Sequence, residues 1–331
     1  MTTSLQEMMR SSLRASLALL FLSGPAWAEG AVTLKIGYAP GGGYDAVGRL
    51  VADHLGGFLP GRPDIVVENV DGAGSLKLAK LMAGSEAADG SVIALVNSSV
   101  TIATVTRPEL ADFDARSFNW IGSMNDTPSL CVVPNASPVR SVEELLAADL
   151  IAGSTGKTSA TYVMAALLRN ALGGRFKLVT GFKGGAEVNL AMERGEIGLR
   201  CGYSLTSFQA LGTGLLRPVG QWTMNVPETT RDLPSFLDLI EDAADRKAAE
   251  LVIGNLAFDN PLLLPPGTPQ ATVDAYRAGF DAMVADPAFQ ADAAGRNIEL
   301  SPKPGEKVAE IIDSLVSVDK SVIARAAELA Q

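Results

Sequence analysis

The fold is decided by residues 32–55, which read VTLKIGYAPGGGYDAVGRLVADHL. Residues Val32–Tyr38 have the pattern of a buried strand, three glycines follow Pro40, and apolar side chains then recur at helical spacing up to Leu55. This order predicts a strand, a glycine-rich loop and a helix. The loop follows the carboxyl end of the strand, which is where open α/β sheets bind their ligands.

The same order of strand, loop and helix recurs along the chain. Further strands are predicted at residues 64–69, 92–97, 130–133, 150–154, 176–180, 197–201 and 262–264. The alternation predicts an α/β fold with two lobes, each a central sheet flanked by helices. We expect residues 29–128 and 255–331 to form the first lobe and residues 129–254 the second, with the helical tail packed back on the first.

The N-terminal 28 residues have the pattern of a signal peptide. Arg10 and Arg14 precede an apolar run at 15–23, and Ala26-Trp27-Ala28 is a small-x-small cleavage pattern. The run is about half of the roughly 20 residues that span a bilayer, which disfavours the alternative of an anchor helix. We expect cleavage after Ala28 and export to the periplasm.

The composition excludes several classes of function. With 27 Lys+Arg against 37 Asp+Glu the formal net charge is -10, and no basic stripe is present, so nucleic acid is not an expected partner. One His and two Cys are too few for a zinc site, and we expect neither metal nor cofactor. A secreted hydrolase would have to use His54, which falls on a helix away from any loop, and this is the weaker alternative.

Cys131 and Cys201 both fall in apolar, strand-like runs. An oxidising compartment permits a disulfide between them but does not require one. The pattern favours two buried free thiols and leaves a bridge open.

Taken together, loop motifs spread over nearly the whole mature chain carry a family resemblance. They are Pro40–Asp45, Val67–Asn69, Gly72–Gly74, Asp89-Gly90, Val132–Pro134, Gly153–Gly156, Lys183–Ala186, Arg194–Glu196, Pro266–Pro269 and Asp286-Pro287. In this order they resemble the tripartite tricarboxylate transporter receptors, also called the Bug family. The resemblance implies a monomeric periplasmic solute receptor with a two-lobed, type II-like binding-protein fold. Such a receptor closes on a small carboxylate and presents it to a permease with one large and one small integral membrane subunit.

In that family, backbone amides and hydroxyls hold the ligand's carboxylates. By position, and with two residues added from the third strand of the second lobe and the loop after it, the candidate ligand-binding residues are Gly41, Gly42, Gly43, Tyr44, Ser98, Ser99, Thr155, Lys157, Thr158, Ser159, Gly184, Gly185, Ala186, Arg200 and Tyr203. The net negative charge requires a locally positive cleft, for which Lys157, Lys183 and Arg200 are the candidate cations. Asp45 is expected to cap its own helix.

One departure from the family bears on the ligand. The family commonly has an Asp after the third strand of the second lobe, where this chain has Gly202. An Asp there could pair with a ligand ammonium, so its absence disfavours amino acids. A receptor that feeds a sensor kinase is the alternative to one that feeds a permease.

Overall fold

A computed structural model describes residues 30–210 and 214–331, so the expected signal peptide lies outside the described residues. The strands are β1 (Val32–Ile36), β2 (Ile65–Asn69), β3 (Val92–Leu95), β4 (Asn119–Asn125), β5 (Ser129–Pro134), β6 (Ile151–Ser154), β7 (Lys177–Thr180), β8 (Arg200–Ser204), β9 (Leu216–Trp222), β10 (Asp259–Leu264) and β11 (Lys303–Pro304). The helices are α1 (Gly43–Leu55), α2 (Leu76–Gly84), α3 (Ser99–Thr106), α4 (Val142–Ala147), α5 (Ala160–Leu172), α6 (Gly185–Glu193), α7 (Leu205–Ala210), α8 (Ala243–Ile253), α9 (Gln270–Ala285), α10 (Pro287–Gly295), α11 (Gly305–Val316) and α12 (Lys320–Leu329). Within the described ranges, none of these helices has the length and apolar character needed to cross a membrane.

The first sheet has six strands in the order β11-β4-β10-β3-β1-β2. Strands β1, β2 and β3 are parallel, and β10 inserts antiparallel between β3 and β4. Alternate residues of β1, among them Leu34 and Ile36, are buried in one apolar cluster with Leu50 and Val51 of α1. The predicted strand, loop and helix of residues 32–55 are therefore confirmed.

The second lobe contains an antiparallel sheet β8-β5-β9 and a parallel pair β6-β7. An isolated parallel bridge between Ala152 and Leu199 links them. The chain leaves the first sheet after β4, crosses at residues 126–128, and returns through a 3₁₀ helix at 254–258 to β10. The expected α/β architecture, with sheets flanked by helices, is confirmed.

Strand β8 begins and ends three residues later than the predicted strand at 197–201, so Gly202 and Tyr203 lie in a strand and not in a loop. Gly202 has a φ of 66°, and the pairing of β5 with β8 shifts register at this point. A glycine with positive φ inside a strand is typical of a β-bulge, which in sequence reads as a turn.

The last helix also differs from expectation. Helices α9 and α11 pack on β4 of the first sheet, as expected for the tail. Helix α12 instead packs on α8, and its Ala326 and Leu329 are buried in the apolar cluster of the second lobe. Arg325 of α12 pairs with Asp245 of α8 at 2.5 Å. The tail therefore contacts both lobes, because α8 offers an apolar face that the first lobe does not cover.

Cys131 and Cys201 form a disulfide, so the prediction of two free thiols was wrong. Their Cα atoms lie 3.9 Å apart. The two cysteines lie on adjacent antiparallel strands, β5 and β8, where the register shift brings them opposite each other. This pairing was not readable from the sequence, since it depends on which strands become neighbours.

Loss of this disulfide is expected to destabilise the protein. For a closed loop of 70 residues, the chain-entropy argument gives a loss of about 4 kcal/mol in the free energy of unfolding. Urea denaturation with and without a phosphine reductant measures it. The variant Cys131→Ala/Cys201→Ala is the control, because its midpoint should not respond to reductant. Because both cysteines are buried, alkylation is tested on protein unfolded in urea without reductant, and modification of both cysteines there would contradict the assignment.

Candidate functional site

A cavity of about 50 Å³ lies between the two lobes. Its lining residues are Tyr38, Gly42, Gly43, Tyr44, Asn97, Ser98, Ser129, Thr155, Ala160, Thr161, Gly185, Arg200, Gly202, Tyr203, Ser204, Leu256 and Asp259. A cavity needs roughly 10–15 Å³ of solvent-accessible volume to hold one water molecule. The space therefore suits a small solute and excludes a polymer.

Two helix N-termini face each other across the cavity. Gly42 is the N-cap of α1 and Gly185 is the first residue of α6, and a Cβ added to Gly42 would lie 3.8 Å from the amide nitrogen of Gly185. Within the described ranges the amides of Gly42, Gly43 and Gly185 donate no hydrogen bond. Because each helix N-terminus carries about half a positive charge, the facing pair attracts an anion.

Arg200 adds a full positive charge at the same place. Its side chain is 6% exposed, its Nη1 donates to the Gly185 carbonyl at 3.3 Å and to Asn189 Oδ1 at 2.5 Å, and its guanidinium carbon lies 3.5 Å from the centroid of the Tyr203 ring. Burial lowers the pKa of the guanidinium, which nevertheless stays charged at neutral pH. Among the described residues, Nε has no hydrogen-bond partner and no carboxylate pairs with Arg200. A buried cation without an ion-pair partner is costly, so an anion bound beside Arg200 would be stabilised there.

A buried carboxylate lies at another wall of the cavity. Asp259 is 6% exposed and accepts hydrogen bonds from the Tyr44 hydroxyl at 2.5 Å and from Asn260 Nδ2 at 3.2 Å. Asn97 Nδ2 in turn donates to the Tyr44 hydroxyl at 3.1 Å. Burial raises the pKa of the Asp259 carboxyl, while the hydrogen bond from Tyr44 opposes the rise.

Tyr38 is a buried tyrosine in the cavity wall that both charges influence. Its ring centroid is 4.9 Å from that of Tyr44. Burial raises the pKa of the Tyr38 hydroxyl, a nearby Asp259 raises it further, and Arg200 lowers it. Arg200 and Asp259 therefore both act on the same phenol, one from each lobe.

Eight of the residues expected to bind ligand line this cavity. They are Gly42, Gly43, Tyr44, Ser98, Thr155, Gly185, Arg200 and Tyr203. The other seven do not line it. They are Gly41, Ser99, Lys157, Thr158, Ser159, Gly184 and Ala186. Lys157 and Lys183 are both exposed, so of the three candidate cations Arg200 alone contributes to the cavity wall.

Several of those seven residues hold the lobes together instead. The Thr158 hydroxyl donates to the Ala73 carbonyl at 3.2 Å, and a Cβ added to Gly156 would lie 2.5 Å from the Ala73 carbonyl carbon. A Cβ added to Gly74, which has a φ of 66°, would likewise lie well inside van der Waals contact with Ser159. The two lobes are thus in backbone contact at the rim of the cavity.

Sequence reasoning missed Tyr38, Asn97, Ser129 and Asp259. Tyr38 and Asn97 lie two residues past the ends of strands β1 and β3. This is the position where α/β sheets bind ligands, so their location was a usable signal. The Ser129 hydroxyl is buried and has no partner among the described residues. Asp259 starts strand β10, and nothing local in the sequence shows that this strand inserts beside β3.

His54 does not support a hydrolase. It lies in the last turn of α1, about 16 Å along the helix from the cavity end at 1.5 Å per residue. Its Nε2 is 2.9 Å from Asp292 Oδ2, and its ring packs edge-on against Phe289. The described ranges also contain no group of three or more His, Cys, Asp or Glu side chains placed to hold a metal ion.

Asp45 positions the glycine loop without lining the cavity. Its carboxylate accepts hydrogen bonds from the Gly41 amide at 2.9 Å, from Arg49 Nε at 3.0 Å and from Asn69 Nδ2 at 2.9 Å. Burial alone would raise the pKa of Asp45, but these three donors outweigh it and the pKa lies below its ordinary value. Asp45 therefore stabilises the loop before α1 through the amide that precedes the N-cap. The N-terminus of α1 has no side-chain cap, so the prediction that Asp45 caps its helix was wrong.

Comparisons with known proteins agree with this geometry. A family model described as "Tripartite tricarboxylate transporter family receptor" matches residues 47–327. The periplasmic binding protein BugD is similar in structure, with a TM-score of 0.72 and 23% identity over 87% of this chain and 94% of BugD. MatC of Rhodopseudomonas palustris with bound malate has a TM-score of 0.72 and 19% identity over 92% of this chain and 100% of MatC. Another R. palustris protein, with adipate, has a TM-score of 0.69 and 18% identity over 91% and 98% of the two chains. Curated protein sequences give no significant match. At such identities the structural likeness shows a shared fold, that of two-lobed periplasmic binding proteins.

The variant Asp45→Asn is expected to lower the free energy of unfolding by about 2 kcal/mol at pH 7, because it removes charge-assisted hydrogen bonds. The folded-state pKa of Asp45 is depressed, so this stabilisation is present above the unfolded value of 3.8 and is lost as the pH falls through the lower, folded value. Urea denaturation at pH 7 and pH 3 should therefore show a difference between wild type and variant that shrinks in acid. Asp313→Asn, an exposed control, should change the free energy of unfolding by less than about 0.5 kcal/mol. A pH-independent difference for Asp45→Asn would contradict the role given to its charge.

Proposed function

Because the chain belongs to the tripartite tricarboxylate transporter receptor family, we propose that it captures a small carboxylate in the cavity and delivers it to a membrane permease. The resemblance read from the loop motifs is thereby confirmed at the level of the family. The receptor acts in the periplasm after removal of residues 1–28, as a monomer, and without catalysis. Its partners are the large and small integral membrane subunits of the permease.

The positive end of the cavity supports carboxylate as the ligand class. Arg200 is buried and has no carboxylate partner among the described residues, and the N-termini of α1 and α6 face the same space. A ligand carboxylate supplies the missing negative charge and accepts from the amides of Gly42, Gly43 and Gly185. The buried Ser129 hydroxyl is a further donor without a partner in the described part of the chain.

Affinity follows from a small number of such contacts. Hydrogen bonds to a charged group contribute roughly 1.5–3 kcal/mol each. A micromolar Kd corresponds to about -8 kcal/mol, so about five or six of these bonds can offset the cost of closing the lobes. No cluster of several basic side chains is required.

Hinge closure is the signal that the permease reads. We assign residues 29–128 and 255–331 to one lobe and residues 129–254 to the other. Helix α12 belongs to the first lobe by this assignment and packs on α8 of the second. The chain crossings at 126–128 and 254–258 support this division and mark the hinge. Backbone contact at the cavity rim is typical of a closed state, which a ligand bound by both lobes stabilises.

The variant Gly42→Leu tests whether the facing helix ends form the site. Gly42 has an extended backbone with a φ of -95°, so leucine is compatible with the fold, but its side chain would extend into the space in front of Gly185. We expect isothermal titration against succinate, malate, adipate and citrate to detect binding to wild type and none to the variant, with an unchanged melting temperature.

Gly84→Leu is the matched control, because Gly84 is exposed on α2 and a Cβ there meets nothing within 4 Å. It should bind like wild type. Unchanged affinity in Gly42→Leu would refute the proposed site, and a wild-type protein that binds no carboxylate would refute the proposed function.

The variant Arg200→Gln tests the cation. It leaves a polar side chain but removes the charge that a ligand carboxylate needs, and loss of one partner of a buried pair costs about 2–5 kcal/mol, or roughly 30-fold or more in Kd. Arg194→Gln removes an exposed arginine at the end of α6 and should leave Kd unchanged. Titration of both variants with the tightest carboxylate measures the contrast, and equal Kd values would exclude Arg200 from the site.

A further inference from the structure

The cavity contains two buried side chains of opposite charge, one from each lobe. Arg200 belongs to β8 and Asp259 to β10, and each is 6% exposed. Both line the same space. The proposed function uses the first charge and leaves the second unexplained, since a carboxylate in the wall of an anion site repels its ligand.

The two charges do not neutralise each other. Within the described ranges neither side chain forms an ion pair, and both are near enough to Tyr38 to act on its hydroxyl in opposite directions. The donors to Asp259 are neutral, the hydroxyl of Tyr44 and the amide of Asn260. Ionised carboxylates buried among neutral groups are costly unless a cation reaches them, and none of the described residues forms an ion pair with Asp259.

The pair leaves the cavity wall with no net side-chain charge but with separated positive and negative ends. A dicarboxylate would place its second negative charge in a space that already contains Asp259. A molecule with one cationic and one anionic group matches both ends at once. We propose, building on the proposed function, that the ligand is an amino acid whose carboxylate binds at Arg200 and whose ammonium binds at Asp259.

The glycine at position 202 does not disfavour an amino acid. That position cannot contain a side chain, because Gly202 has a φ of 66° and a Cβ would lie 2.3 Å from the backbone of Ala160. The carboxylate that would bind an ammonium is instead Asp259, which belongs to the other lobe. Closure would then bring the two halves of one zwitterion site together, so neither lobe alone could select the ligand.

Matched ligand sets test the proposal. Succinate, malate and aspartate share a skeleton and differ at one carbon by hydrogen, hydroxyl or ammonium, and propionate, lactate and alanine form a second set. Isothermal titration of the wild-type protein should rank the amino member first in whichever set binds, by about tenfold or more over the other two.

The variant Asp259→Asn keeps the shape of the side chain and removes its charge. It should weaken binding of the amino member roughly 30-fold and change the affinity for the unsubstituted acid by no more than about threefold. Asp313→Asn, an exposed carboxylate on α11, makes the same change in net charge and should leave the ranking and affinities unchanged.

The outcomes separate the two proposals. If the unsubstituted or hydroxy acid binds wild type as tightly as the amino acid, or if Asp259→Asn affects all three members equally, the zwitterion site is wrong and carboxylate capture stands. If no member of either set binds, the zwitterion site is wrong, and if adipate and citrate also fail, both proposals are wrong. Should Asp259→Asn not fold by circular dichroism, the wild-type ranking alone decides.

Discussion

Three sources of positive potential converge on one small space: the N-termini of α1 and α6 and the guanidinium of Arg200. Like potentials repel, and burial deprives them of water that would screen them. An anion bound between them is attracted to all three, and these attractions outweigh their mutual repulsion. A bound anion therefore stabilises the contact between the lobes, and this couples ligand binding to closure.

Strand β8 links the positive charge in the cavity wall to the disulfide. Within five residues it contains the cation Arg200, the disulfide cysteine Cys201, the bulge at Gly202 and the ring of Tyr203 that packs on the guanidinium. The bulge turns successive side chains away from strict alternation, and the disulfide fixes β8 to β5 at that point. A charge held without a protein counterion needs a rigid support, which this segment provides.

The sequence predicted what depends on neighbouring residues and missed what depends on distant pairing. The sequence could predict Gly42, Gly43 and Gly185 as site residues, because a glycine loop before a helix creates free amides wherever the helix later packs. It could not predict Asp259, because the place of Asp259 in the cavity requires β10 to insert between β3 and β4. Strand β9 was missed since Pro218 interrupts its pattern, and the structure places it at a sheet edge where proline is tolerated.

The position of α12 has a mechanical consequence. Helix α11 is packed on the first sheet and α12 on α8, with residues 317–319 between them. The lobes are thus joined by two stretches of chain at 126–128 and 254–258 and by this third short tether. Two connectors allow both bending and torsion, whereas a third removes most of the torsional freedom. The relative motion of the two lobes is thereby reduced to rotation about a hinge axis defined by these connections. Such a rotation opens the cleft without disturbing strand pairing in either lobe.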